Sequence, residues 1–444
     1  MLLGMPKKFL LKILQWFLKN LAKLTISKYE PAVIGVTGNT GKTSTKEAIR
    51  LVLASAGRRV RSSLKSFNNE LGLPLGIIGD WDNTEGVLFW PKVLITAVFQ
   101  LLFKRKTYPE ILILEYGVDK PGDMKYLLDI AKPTIGLITA IGEVPVHVEN
   151  FAGPEDIIRE KVKLIRELPA TGFAILNADD PVVLGLEDET RGHVITFGFG
   201  ENAGFRISNF QRNFDGERGG INFKFSYGGS SVPVYIPGAL GKSTAYCAAA
   251  AAVVGLIFGF NLVRLADALR GYESPAGRQK IIPGIKKSVI IDDTYNASPL
   301  AMREALETLR SLSVKRKIAV LGDMLEIGKY TIPAHEAVGR IIPKAANVLI
   351  TVGTRGKIIA EAARKQGMSV KSIFIFDDVE KAGLFLQSLI TKNDLILVKA
   401  SQGVRLEKVV KEVMAGPDKA EELLVRQTKS WLSKPGMYDP SDNE

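Results

Sequence analysis

The chain holds a single cysteine, Cys247, among its 444 residues. That excludes a disulfide framework and a cysteine-based zinc site, and it fits a reducing compartment. Histidine is nearly as scarce, with only His147, His193 and His335, too few for a multi-histidine metal cage. No apolar run reaches a comfortable membrane-spanning length. The nearest, residues 87–103, is interrupted by Pro91, Lys92 and Gln100 and followed by Lys104, Arg105 and Lys106. It predicts a buried or interfacial helix rather than a span. Internal repeats are lacking too. So is any nucleic-acid-binding motif, although the formal charge is +12, and no nucleic-acid partner is expected. Anionic nucleotide substrates or an acidic membrane surface would account for that charge equally well.

What is present is the composition of a globular protein, with 46% hydrophobic and 24% charged residues, at a length that calls for two or three domains. Residues 1–30 carry six lysines and one glutamate, a net charge of +5. A signal peptide is disfavoured, because Lys12, Lys19 and Lys23 interrupt the apolar run and no small-residue cleavage site follows. Instead Lys8, Lys12, Gln15, Lys19 and Lys23 fall on one narrow helical stripe, with Phe, Leu, Ile and Trp around the rest. Such a helix either lies in a membrane interface or packs on the protein's own body.

From residue 31 strand and helix patterns alternate. Strands are predicted over 32–36, 111–115, 135–141 and 173–176, with helices over 43–54 and 155–168, the rhythm of a parallel sheet covered by helices. Residues 196–236 break the rhythm with alternating apolar positions such as Ile221, Phe223 and Phe225, which predicts a small antiparallel excursion. An alanine-rich helix is expected over 244–258. After Gly277 a second block places strands over 288–292, 317–321, 348–352, 372–376 and 395–398. The expected fold is α/β. A basic amphipathic helix (1–30) precedes a P-loop parallel-sheet central domain (31–280), followed by a second, Rossmann-like α/β domain (281–444). The tail from Gly416 is charged, and its last ten residues are expected to be only partly ordered.

The first motif with chemistry is Gly35-Val36-Thr37-Gly38-Asn39-Thr40-Gly41-Lys42-Thr43-Ser44. A strict P-loop would have glycine where Val36 stands, yet the working parts remain. Gly38 and Gly41 let backbone N–H groups close on phosphates, and the following helix adds positive potential at its N-terminus. Lys42 supplies a cation and Thr43 a magnesium-binding hydroxyl.

That loop resembles the phosphate loop of the Mur ligases, and the next segments resemble the group that adds D-alanyl-D-alanine (the MurF type). Ser66-Phe67-Asn68-Asn69-Glu70-Leu71-Gly72 is similar to the group's asparagine-rich substrate loop. Glu115-Tyr116-Gly117 resembles its acidic metal-binding turn, and the segment 141–149 its metal-binding histidine, here His147. Fourteen residues on lies Lys161, where the family has a lysine that is usually carbamylated. Gly277-Arg278 and Asp292-Asp293-Thr294-Tyr295-Asn296-Ala297-Ser298-Pro299 resemble the family's domain junction. Asp323, His335 and the segment 397–403 fall in likenesses to its C-terminal signatures.

The resemblance, running from about residue 33 to 410, implies the site residues. Lys42, Lys161 and Arg278 would be catalytic. ATP would meet Gly38, Asn39, Thr40, Gly41, Lys42, Thr43, Ser44, Arg278, Asp293 and Asn296. Magnesium would be held by Thr43, Glu115, His147 and carbamylated Lys161, and the other substrates by Asn68, Asn69, Asp323, Lys399 and Ser401. Asp292 and Asp293 also suit a helix cap before Pro299. Two departures stand out. Thirty residues occupy the place of the family's uridine-binding domain. Ser243 and Thr244 replace a His-Asn pair, which would alter an adenine-side contact.

The implied function is ATP- and magnesium-dependent amide formation between a UDP-muramyl peptide and D-Ala-D-Ala, in peptidoglycan synthesis. A cytoplasmic monomer with peripheral contact at the inner membrane surface is expected. Two alternatives are another Mur-type ligase with a different amino-acid or peptide substrate and a non-catalytic, membrane-associated nucleotide-binding scaffold. The altered segment 240–247 and the basic N-terminus favour the scaffold. Lys42, Glu115, His147 and Lys161 favour the enzyme.

Overall fold

A computed structural model of the chain describes residues 7–63, 67–81, 86, 88–103 and 105–434. Ser66, Val87, Lys104 and the last ten residues of the tail, 435–444, lie outside them.

The strands of the parallel part of the first sheet are short, most of them apolar runs buried on both faces as parallel sheets require, with 60–62 and 193–198 partly exposed;. They are β1 (Ala32–Thr37), β2 (Val60–Ser62), β3 (Ile111–Glu115), β4 (Ile135–Ile138), β5 (Phe173–Asn177) and β6 (His193–Gly198). With β7 (Phe205–Phe214), β8 (Gly219–Tyr227) and β9 (Ser230–Pro237) they make one sheet in the order β2-β3-β1-β4-β5-β6-β7-β8-β9. The expected antiparallel excursion is β7–β9, and it is continuous with the parallel sheet because β7 runs parallel to β6. β4 ends at Ile138, short of the expected 141, and the chain then turns beneath the phosphate loop.

Helices α1 (Lys7–Tyr29), α2 (Lys42–Ala54), α3 (Gly72–Ile78), α4 (Phe89–Leu102), α5 (Asp123–Ile130) and α6 (Pro154–Arg166) belong to this half. The alanine-rich helix, Lys242–Ile257, packs on α2 with Ala249 through Ala252 fully buried, since small side chains let two helix axes approach closely.

The second sheet comprises β10 (Lys280–Pro283), β11 (Val289–Asp293), β12 (Lys317–Gly322), β13 (Val348–Val352), β14 (Ile373–Phe376) and β15 (Leu395–Lys399). Its order is β10-β11-β15-β12-β13-β14, parallel except at β10. In the first sheet β1 lies between β3 and β4, with Val36 opposite Glu115 and Thr37 opposite Ile138. The segments leaving these three strands therefore share one edge, where ligands of open α/β sheets collect.

One face of α1 packs on the protein's own body, against α3, α4 and α5. Leu18, Ala22 and Thr25 are fully buried, and Leu18 joins a small core with Leu75, Ile78, Trp81, Phe89 and Val93. The lysine stripe turns inward over its second half, for Lys19 and Lys23 pair with Asp129 of α5 at 2.6 and 2.9 Å. Phe9, Trp16, Phe17 and Leu24 stay exposed. Among the described residues no helix is long and apolar enough to cross a membrane.

Because Leu18 is fully enclosed, Leu18→Ala should leave a cavity and cost about 3 kcal/mol. The expected readout is a lower denaturation midpoint; an unchanged one would mean that α1 is not docked in solution.

Candidate active site

The loop between β1 and α2 is shaped by its glycines. Gly38 has a φ of 140°, and a Cβ there would stand 2.1 Å from the Thr139 hydroxyl; Gly41 adopts a φ of 81°. The loop is pinned to the segment after β4. Asn39 N–H donates to the Ala140 carbonyl at 2.6 Å, and the Asn39 side chain donates to Ile141 O and accepts from Val146 N–H. No side chain caps α2, so its first N–H groups point into the cleft, as anion-binding helix starts do.

Two amines converge behind this loop. Lys42 Nζ donates to the Gly38 carbonyl at 2.9 Å, and Lys161 Nζ, reaching back from α6, donates to the same oxygen at 3.2 Å. Burial, reinforced by the charge of Lys42, lowers the Lys161 pKa to about 7. Burial also lowers Lys42, against the pull of Glu115. Lys161 is thus a buried group behind the loop and does not line the cleft wall.

Glu115, at the end of β3, is 1% exposed. Its Oε2 lies 3.4 Å from the Thr43 hydroxyl and its Oε1 3.4 Å from Lys46 Nζ, but Oε1 accepts no hydrogen bond. A buried carboxylate with Oε2 beside a hydroxyl at a phosphate loop and Oε1 not hydrogen-bonded is a donor set that suits a magnesium ion alongside phosphate oxygens;. His147, in a left-handed conformation, stands farther out, its two ring nitrogens 3.3 Å from Asp119 and 3.2 Å from Glu326. Burial favours its neutral form, while Asp119 opposes that. Among the described residues no three His, Cys, Asp or Glu side chains form a ready metal cluster.

At the junction Gly277 adopts a φ of 68°, and its N–H donates to Asp292. Arg278 then reaches across to donate to the Thr43 hydroxyl at 3.2 Å, with its guanidinium 3.8 Å from the Tyr295 ring centroid. Asp293 is committed to Lys399, 2.8 Å away across the β11–β15 register, and Lys399 also donates to Asn296 O. The helix starting at Pro299 is capped by Ser298, so neither Asp292 nor Asp293 is the expected cap. Asp323 does not enter the cleft, because its carboxylate accepts from the N–H of Gly356. Ser401 lines the wall and accepts from Leu325 N–H.

Together these elements enclose one cleft of about 880 Å³ between the two sheets. It is lined by the phosphate loop, Asn68 and Asn69 before α3, Glu115, His147, Arg278, Asp293, Asn296, Lys399 and Ser401. The descriptions "Mur ligase middle domain" and "Mur ligase, glutamate ligase domain" fit residues 94–255 and 277–402 respectively. A UDP-N-acetylmuramoyl-tripeptide–D-alanyl-D-alanine ligase of Bacillus subtilis (strain 168) is 31% identical over 404 residues, covering 90% of this chain and 79% of its own. The chain belongs to the Mur ligase family, in its MurF group.

Another MurF-group relative, from Synechocystis, is 30% identical over 385 residues and is matched over 86% of this chain and 74% of its own. Among solved structures, MurF ligase from Thermotoga maritima in complex with ADP aligns with a TM-score of 0.73 and 26% identity, over 90% of this chain and 83% of that one. MurF from Acinetobacter baumannii gives a TM-score of 0.72 at 24% identity, covering 88% and 79%, and speaks for the fold.

Several cleft residues of this Mur ligase carry no local sequence signal. Asp119, Gln279, Glu304, Arg355 and Trp431 all line the wall. Trp431 arrives on the tail, which is tied back where Arg426 pairs with Glu407 and donates to Thr294 O. Ser243 and Thr244 stand with Cys247 on the same wall as Glu304.

Burial, reinforced by Asp293, pushes the Glu304 carboxyl up to about 7. Unfolded, this group ionises near its ordinary value, so the folded state loses stability as pH rises from there through about 7;. Glu304→Gln removes that loss. It should stabilise the protein by about 3 kcal/mol above neutral pH and change little in acid;. Melting curves across pH check this, and equal gains at both ends would refute it.

Proposed function

We propose that this Mur ligase joins D-alanyl-D-alanine to a UDP-N-acetylmuramoyl tripeptide at the expense of ATP, a step of peptidoglycan precursor synthesis. The observation that carries the reading is the single cleft in which the phosphate loop, Arg278 and the Asp293–Lys399 pair face one another. It stands in a chain 31% identical to a curated ligase of that name. Residues 31–280 serve as the ATP-binding unit and 281–444 as the unit closing over it. Peripheral contact with the inner membrane surface and a monomeric state complete the reading.

The chemistry follows from the cleft. A carboxylate oxygen of the muramyl peptide attacks the γ-phosphorus of ATP, ADP leaves, and an acyl phosphate forms. The dipeptide amine, having lost its proton, attacks the acyl carbon, and phosphate leaves with the C–O electron pair. Lys42 and the first N–H groups of α2 hold the phosphates, and Arg278, already against Thr43, meets the charge that develops on the transferring group. Thr43 and Glu115 would hold magnesium, with His147 farther out, and the ion would supply charge neutralisation on the phosphate oxygens;. Lys161, whose amine is readily neutral, is the form of lysine that takes up carbon dioxide. As a carbamate it would be an anion behind the loop, close to Lys42, where it could answer that cation;. Asn68, Asn69 and Ser401 position substrates. Asp323 acts at a distance by fixing the helix start at Gly356.

Phosphate release from ATP should depend on both co-substrates. Lys42→Ala should abolish it without lowering the melting temperature, since Lys42 is only half-buried at the loop rim. Turnover retained by that variant would sink the phosphate-loop role.

A second expectation concerns Lys161. Lys161→Ala should be almost inactive and recover in part when a short carboxylic acid is added, because the missing group is an anion. Full activity without any added acid would show that no carbamate is needed.

A further inference from the structure

Large apolar side chains are unevenly distributed over the surface. Of the 21 that are exposed among the described residues, 12 lie on α1 or on α4 and its two flanking residues. The two helices pack side by side. Tyr29, at the end of α1, donates to Gln100 O and Phe103 O at the end of α4, and Lys28 donates to Leu101 O. Each helix spends one stripe on the core they share with α3: Leu18 and Ala22 on α1, Phe89, Val93 and Ala97 on α4. The other stripe of each is uncovered. On α1 it carries Phe9, Trp16, Phe17 and Leu24, the spacing of about two helical turns;. On α4 it carries Ile95, Phe99 and Leu102, with Trp-free aromatic weight continued by Phe103.

Charge on the same elements has one sign. Residues 7–29 and 88–106 contain ten lysines and arginines and no aspartate or glutamate. Lys19 and Lys23 are paired inward with Asp129, but Lys12, Lys92, Arg105 and Lys106 are exposed around the apolar stripes. Apolar side chains ringed by cations, on helices too short or too polar to span, match the chemistry of a lipid interface carrying negative headgroups. A protein partner would be expected to leave acidic residues in the rim as well.

We infer that α1 and α4 together form a docking surface for an anionic lipid bilayer, a proposal that rests on the peripheral contact in the reading above and adds α4 to it. Phe67, the neighbour of Asn68, packs against the core that α1, α3 and α4 share, which ties the docking helices to the segment that carries the asparagine loop.

The test floats the full chain with vesicles of phosphatidylcholine alone or mixed with phosphatidylglycerol. Expected is capture by the anionic vesicles, weakened by salt, and a loss of about tenfold or more in the combined variant Trp16→Gln, Phe99→Gln, Leu102→Gln. These positions are exposed, so melting temperature and ligation in solution should be unchanged. If that variant unfolds, Lys92→Glu with Lys106→Glu probes the same surface through charge and should also release the protein. Equal capture of wild type and folded variants overturns the proposal. So does a wild-type dimer that ignores vesicles and that the glutamine substitutions dissociate, which would make this face a contact between copies. Ligation without vesicle binding removes the docking surface alone, and vesicle binding without ligation removes the enzymatic reading alone.

Discussion

Positive charge gathered at the end of β1 is the constraint on which this molecule is organised. Lys42 and Lys161 share the Gly38 carbonyl, Lys46 lies against Glu115, and Arg278 reaches Thr43 from the second half of the chain. Burying cations is costly unless anions or fixed dipoles answer them. Here the answer within the protein is partial, with Glu115 and Glu47 beside Lys46, Asp119 and Glu160 near the other lysines, and a few backbone carbonyls. A triphosphate brings the remaining negative charge, so binding energy and catalytic electrostatics arise from one arrangement. The lowered pKa of Lys161 is the same constraint seen from its weakest member: crowding by Lys42 in a dry site makes the neutral amine the easier form to bury;.

That arrangement explains the backbone around it. Gly38 has to pass within contact of Thr139, and Asn39 ties the loop to Ile141 and Val146, because a loop bearing converging cations would otherwise open. The parallel order β3-β1-β4 brings Glu115, the loop and the segment carrying His147 to one edge without any long reach. The second sheet repeats the device in milder form. Asp293 and Lys399 sit opposite each other in register at the ends of β11 and β15, and their pairing keeps the Asn296 turn facing the first sheet.

Much of this was legible in the sequence because it is local. Apolar runs with turn residues behind them gave the strands, and 111–115 and 348–352 need no adjustment. Glycine spacing gave the phosphate loop. Most of the misreadings have a partner distant in sequence as their cause, and one, the cap, has a nearer rival. Asp323 ends its strand like a cleft residue, yet Gly356, 33 residues on, takes its carboxylate. Asp292 and Asp293 look like caps before Pro299, but Ser298 is nearer and does the capping. Periodicity showed that α1 has a lysine stripe without saying which way it faces, and Asp129, more than a hundred residues away, turns half of it inward. Glu304 and Trp431 reach the cleft from a helix flank and from the tail, where neither spacing nor composition marks them.

The division of the site between two sheets follows from the reaction itself. An acyl phosphate is open to hydrolysis, so the amine must already be in place, and water kept out, when the intermediate forms. A cleft within a single sheet edge could hold ATP and the carboxylate but would leave the far side wet. Here the far wall belongs to the second sheet and is linked to the first by contacts that cross the junction, Arg278 to Thr43 and His147 to Glu326. Apolar contacts cross it as well, since Val148, Ile157 and Leu240 of the first half belong to the buried core of the second sheet. The shared apolar core holds the two halves together. The polar links, Arg278 to Thr43 and His147 to Glu326, lie at the cleft, where substrates can exchange with them while the strands that present Glu115 and Lys399 stay fixed;.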